Sequence, residues 1–151
     1  MPSWDEIYFG ALGIISVLIG SLQLLAGVSG NSVSISVLSV SGTYLLWRGV
    51  IVASAGAFFL YGSTHGLGSR RNQVVTVLAG TMLWIVAVTD LLGRFLGAIP
   101  GGHDVWVAEL DQIALAFAPP YSPSIIFGLF ALVVVKYRMQ AFEPTAAGEG
   151  K

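Results

Sequence analysis

Residues 7–28 read IYFGALGIISVLIGSLQLLAGV, and no charged side chain interrupts them. At 1.5 Å per residue such a run makes a helix of about 33 Å, enough to cross a hydrocarbon core of about 30 Å. Trp4 and Tyr8 stand where an interfacial aromatic belt belongs. The turn cluster Gly27-Val28-Ser29-Gly30-Asn31 stops the run. The stretch predicts a membrane span, and composition says that the rest of the chain has the same need. Of 151 residues, 55% are hydrophobic and 10% are charged, with a mean hydropathy of +0.81. A soluble domain carries about 25% charged residues. One aqueous core cannot absorb that surplus, so the second solvent is lipid. The opening Met1-Pro2-Ser3-Trp4-Asp5-Glu6 is acidic where a secretory leader needs a basic region, so the expectation is a first span and not a signal peptide.

Working outward, Ser32 to Ser41 nearly alternates serine with Val, Ile or Leu. Alternation predicts an extended segment, and a long tilted helix from Val33 is the other reading. The second span is expected over about 43–61, with Tyr44, Trp47 and Tyr61 near its ends. A loop follows at 62–72, then a third span over about 73–98, ended by Ile99-Pro100-Gly101-Gly102. Asp104 reads as the N-cap of a short amphipathic helix over about 105–117, stopped by Pro119-Pro120. A fourth span is expected over about 121–138, with Ser122 as N-cap and Pro123 as its first residue. The predicted fold is all-α: an integral membrane four-helix bundle with a short extra helix between spans three and four. It is one transmembrane domain over 1–140, followed by a polar tail at 141–151.

Four spans gather Arg70, Arg71, Lys136, Arg138 and Lys151 on one side of the membrane. The other side holds His103, Asp104, Glu109 and Asp111. The positive-inside rule then predicts both termini in the cytoplasm of a prokaryotic-type cell membrane.

Small residues recur at heptad spacing. Gly13, Gly20 and Gly27 share a stripe of span one with Ser16 and Gln23, and Gly42, Gly49 and Gly56 repeat the device. Such stripes let membrane helices approach closely. The leading expectation is a seam within the chain, and a homodimer interface is the alternative.

Three charges fall inside predicted spans: Arg48, Asp90 and Arg94. Each costs about 2.5–3.5 kcal/mol at a helix centre. The twelve Leu, Ile, Val and Phe residues of span three return roughly 4–7 kcal/mol, so its two charges need partners. Asp90 and Arg94 are four apart on one helix face, with Gly80, Ala87 and Gly97 on the same seam. The topology brings Arg48 to a similar depth. In one reading Asp90 bridges Arg48 and Arg94 and locks the bundle, with Glu109 or Asp111 offsetting the excess positive charge. In the other, the cluster binds an anionic group or a permeating ion, or relays protons.

The sequence also excludes much. A net charge of −1 leaves no basic footprint for nucleic acid. The absence of cysteine removes disulfides, thiolate metal sites and iron–sulfur clusters. His65 and His103 are predicted on opposite sides of the bilayer, so no haem is expected between them. No metal-ligand spacing, phosphate-binding loop or nucleophile elbow is present, and no cofactor is expected. The function read from this is non-enzymatic: an accessory or structural subunit of a larger membrane assembly, with lipid and other membrane subunits, or further copies, as partners. The alternative is a small oligomeric transporter or channel for an anionic or proton-coupled solute, using Arg48, Asp90 and Arg94.

Overall fold

The computed structural model describes residues 3–29, 33–35, 38–40, 45–99, 110–115, 118–119 and 121–137. Helix α1 spans Trp4–Ser29. It starts before the apolar run because Ser3 and Glu6 form a capping box. The Ser3 amide donates to Glu6 Oε2 at 2.7 Å, and the Glu6 amide donates to Ser3 Oγ at 3.3 Å. After it come two short antiparallel strands, β1 (Val33–Ile35) and β2 (Leu38–Val40), with Ser34 opposite Ser39. The described residues of the alternating stretch are therefore extended, and the tilted-helix reading is set aside.

Helix α2 covers Leu45–Thr64, running past the expected end at 61. The turn that follows places Gly66 at φ 79°, a left-handed position that suits glycine after a helix. Helix α3 covers Arg70–Ala98, three residues earlier than hydropathy predicts. The reason is a cap: Ser69 Oγ accepts from the Asn72 amide at 3.3 Å. Asn72 and Gln73 then donate back to the carbonyls of His65, Gly66 and Leu67 and clamp the turn.

Helix α4 occupies Leu110–Leu115. It falls within the expected 105–117, of which the first five residues and Ala116 and Phe117 lie outside the described residues. Helix α5 covers Pro123–Phe130. The winding then tightens into a 3₁₀ turn at Ala131–Val134 before a last helical turn at 135–137. Within the expected fourth span, 121–138, the described residues 123–137 are thus helical with a 3₁₀ turn inside. A period of three residues lines up Ala131, Val134 and Tyr137, all buried.

Among the described residues three helices, α1, α2 and α3, are long and apolar enough to cross a membrane. α1 packs antiparallel on α2, α2 on α3 and α3 on α5. α5 returns to α1, where Tyr8 donates its hydroxyl to the Phe130 carbonyl at 2.8 Å. The core between them is aromatic towards the end where α1 starts and α2 finishes: the Phe9 and Phe59 rings stack at 5.5 Å, and Tyr137 meets Phe9 edge-on at 5.9 Å. The outward faces stay apolar. Leu18, Leu22, Leu25, Ile85, Leu92 and Leu96 are all more than half exposed. Apolar surface this extensive is at home in lipid and would aggregate in water.

Candidate functional site

Helical phase puts Asp90 inside. The buried positions of α3 run Asn72, Thr76, Ala79 with Gly80, Leu83, Val86 and Asp90, one stripe at a period of 3.6. A carboxylate on that stripe has no water, so it must be met by cations or donors. The Asp90 side chain is 2% exposed and Oδ1 forms an ion pair with Arg48 Nη2, from the first turn of α2. Oδ2 accepts from Ser122 Oγ at the head of α5. Ser122 is the N-cap residue of α5 but makes no side-chain cap bond; its hydroxyl is turned to Asp90. Three elements therefore converge on one carboxylate.

Arg94 is placed differently from the expected bridge. It lies one turn further along α3, where Nη1 donates to the Ala118 carbonyl at 3.4 Å and the guanidinium stands 5.8 Å from the centre of the Tyr121 ring. The described ion pair of Asp90 is with Arg48. Asp111 lies exposed in α4. Glu109, the other suggested partner, is outside the described residues, as is His103.

The glycine stripes meet within the chain. Gly13 faces Gly56 and Leu60, Gly20 faces Ala53, Gly27 faces Leu46, and Gly49 faces Leu24 and the Gly20 carbonyl. A Cβ on Gly20 would stand 2.5 Å from the Ala53 amide nitrogen, and one on Gly56 would stand 2.7 Å from the Gly13 carbonyl oxygen. Gly42 lies outside the described residues. On α3, Gly80 presses on Val134, and Ala87 opposes Gly128, but Gly97 meets open space and leaves the seam.

Three further polar groups lie in the core. Ser16 Oγ, Gln23 Oε1 and Ser124 Oγ are buried and find no hydrogen-bond partner among the described residues. Ser16 and Gln23 were legible as stripe positions of α1; Ser124 carried no signal beyond its place after Pro123.

The opposite end of the molecule holds a second polar junction. Asp5 Oδ2 pairs with Lys136 Nζ at 2.7 Å and accepts from the Tyr137 hydroxyl. Glu6 Oε1 accepts from the Leu67 amide at 3.0 Å. Both carboxylates precede the apolar run that starts at Ile7. The hydrogen bond from Lys136, then that from Tyr137, hold Asp5 below its ordinary value. The Ser3 and Leu67 amides do the same for Glu6. His65 stacks on Tyr61 at 4.2 Å, with Nδ1 3.0 Å from the Tyr61 carbonyl oxygen.

Chemically, the Arg48–Asp90–Ser122 junction holds a charge still. Among the described residues no group of three or more His, Cys, Asp or Glu side chains could hold a metal. Comparison with protein-family models, with curated proteins and with solved structures returns no match.

Proposed function

We propose that the chain is a four-span bundle of a cytoplasmic-type membrane and a small accessory or structural subunit of a larger membrane assembly. Its fourth crossing is made by α5 and the turns after it, and both termini lie inside. The observation that carries this reading is how the buried charge is used. Asp90 is consumed in tying α2 and α5 to α3. It faces Arg48 and Ser122. The groove beside it has no polar surface at all. What remains for function is the apolar exterior, the surface that lipid and partner helices read. The fourth crossing is short, about 22 Å over its 15 residues, and fits a locally thinned bilayer or the shelter of a partner.

Purification from the native host in mild detergent, with mass analysis of the particle, tests this. A stoichiometric second chain is the expected result and would assign the role through the partner's chemistry. The transport reading has one observation on its side: Ser16, Gln23 and Ser124 offer buried polar atoms that a solute or water could meet. A clean homo-oligomer whose ion or solute flux in vesicles is abolished by Asp90→Asn, with the fold intact, would move the assignment there.

A further inference from the structure

Gln23 and Ser124 stand on stripes that face each other. The buried stripe of α1 includes Phe9, Ser16 and Gln23. The buried stripe of the last segment runs Tyr137, Val134, Ala131, Phe127 and Ser124. The two stripes meet at one end, where Tyr137 lies edge-on to Phe9. The segments run in opposite directions, so walking away from that contact finds the positions that are level. Gln23 lies about 21 Å along α1 from Phe9. Ser124 also lies about 21 Å from Tyr137, allowing for the steeper rise of the 3₁₀ turn. A second route agrees. Gly49 packs on Leu24, which sets Gln23 level with the first turn of α2. From that turn Arg48 meets Asp90, and Asp90 meets Ser122. Ser124 follows Ser122 in the first turn of α5. Gln23 and Ser124 therefore face the bundle interior at the level of the buried carboxylate, on helices that touch. Packed helices stand about 8–10 Å apart. Gln23 is 1% exposed and Ser124 0%, and Gln23 Oε1 and Ser124 Oγ meet no hydrogen-bond partner among the described residues. An unmet polar group this deep is costly, the more so in a bundle surrounded by lipid.

We propose that one buried water molecule bridges Gln23 and Ser124 inside the bundle, beside Asp90. The Ser124 hydroxyl donates to the water. The water donates one hydrogen to Gln23 Oε1 and the other to the Asp90 carboxylate, which keeps lone pairs after meeting Arg48 and Ser122. Buried waters make about three such bonds, to polar groups that otherwise go unmet. The chemistry of this level selects water over an ion. Gln23 and Ser124 are neutral, and the charge of Asp90 is met by Arg48. Ser16 lies about 10 Å from Gln23 along the same stripe, too far to share the water. The Arg48–Asp90–Ser122 junction joins α2, α3 and the head of α5, and the water brings α1 into it. The site lies inside the bundle and does not depend on the subunit role proposed above.

The test uses the full chain, isotope-labelled, in detergent micelles. Transfer of magnetisation between water and the Gln23 side-chain amide protons is read by NMR in the rotating frame. The expected result is a cross-peak with the sign of dipolar transfer from a long-lived water, opposite to that of chemical exchange. Ser124→Val removes the donor and fills its place with a methyl group. It should abolish the peak while circular dichroism shows the fold intact. Gln23→Met serves if Ser124→Val fails to fold; the water peak is then followed at the Ser124 backbone amide, where it should be present in the parent and lost in the variant. The second readout is the thermal midpoint of Gln23→Met, of Ser124→Ala and of the double variant. Either change releases the same water, so the double variant should fall by clearly less than the two single losses together. Absence of the cross-peak in a folded parent chain would overturn the water; coupled midpoints without the peak would mean that Gln23 and Ser124 bond each other directly. A peak that survives Ser124→Val, or midpoint losses that add, would overturn the shared site.

Discussion

At the residue scale, Arg48 and Asp90 are unequal partners. The Arg48 side chain is 27% exposed and Asp90 2%, so each removal leaves a different orphan. Arg48→Gln strands a buried carboxylate, a loss of about 3–5 kcal/mol. Asp90→Asn strands an arginine that can reach the interface, a loss of about 1–3 kcal/mol. The double variant strands neither charge and should recover part of the loss. Thermal midpoints in detergent check the order: parent highest, then Asp90→Asn, with Arg48→Gln lowest and the double above it. A result in which Arg48→Gln is the milder single change would remove the pair from the list of structural ties. The Asp5 and Glu6 junction adds a pH dependence. Both folded-state values are lowered by hydrogen bonds. Their contribution is therefore complete above the ordinary carboxylate value of about 4 and is lost as pH falls through the lower folded values. Acid should weaken the parent below about pH 4 more than the Asp5→Asn, Glu6→Gln double variant, by thermal midpoint against pH. The need for partners at Asp90 was legible in the sequence, because hydropathy alone exposes a charge inside a span. The identity of the second partner was not. Ser122 reads as a helix cap, and only the register of α5 against α3 turns its hydroxyl to a carboxylate 32 residues away.

At the element scale, close packing of α1 on α2 depends on hydrogen atoms where side chains would be. Gly20→Ala drives a Cβ against the Ala53 backbone. Backbone cannot rotate aside as a side chain can, so the helices must separate, at a cost of at least about 1–3 kcal/mol. Gly93→Ala is the matched control, since a Cβ there meets nothing within 4 Å. It should be neutral or stabilise by up to about 1 kcal/mol through helix propensity. Melting both variants in the same detergent separates a packing role from a mere abundance of glycine. A Gly20→Ala protein as stable as the parent would remove the seam as a determinant. The heptad spacing made this seam readable, because position along a helix fixes the face. The ends of the helices were less readable. The starts of α1 and α3 are set by Ser3 with Glu6 and by Ser69, capping side chains that a hydropathy window smooths away. The 3₁₀ turn in the last segment was not readable at all, since Ala-Leu-Val-Val carries no breaker. It follows from Val134 lying against Gly80, a contact between elements.

At the scale of the whole molecule, the two ends differ in charge and in what closes them. Glu6 reaches Leu67, and Asp5 reaches Lys136 and Tyr137. The start of α1, the turn after α2 and the end of α5 therefore share one end, the end that also carries Arg70 and Arg71. The other end carries Arg48 and Arg94 within the helices, together with α4. Translocation of Arg70, Arg71 and Lys136 is unfavourable, so this end should face the cytoplasm. The chain offers a direct way to see it, because it has no cysteine of its own. A single cysteine at Gly68, where a side chain meets open space, should react with a membrane-impermeant maleimide only after cells are lysed. A single cysteine at Leu110, 85% exposed, should react in intact cells. The reversed pattern would invert the molecule and make the Arg48–Asp90–Ser122 junction a cytoplasmic-side feature. Labelling of both sites from one side would mean that α3, the helix between them, does not cross, and would break the four-span topology at that helix.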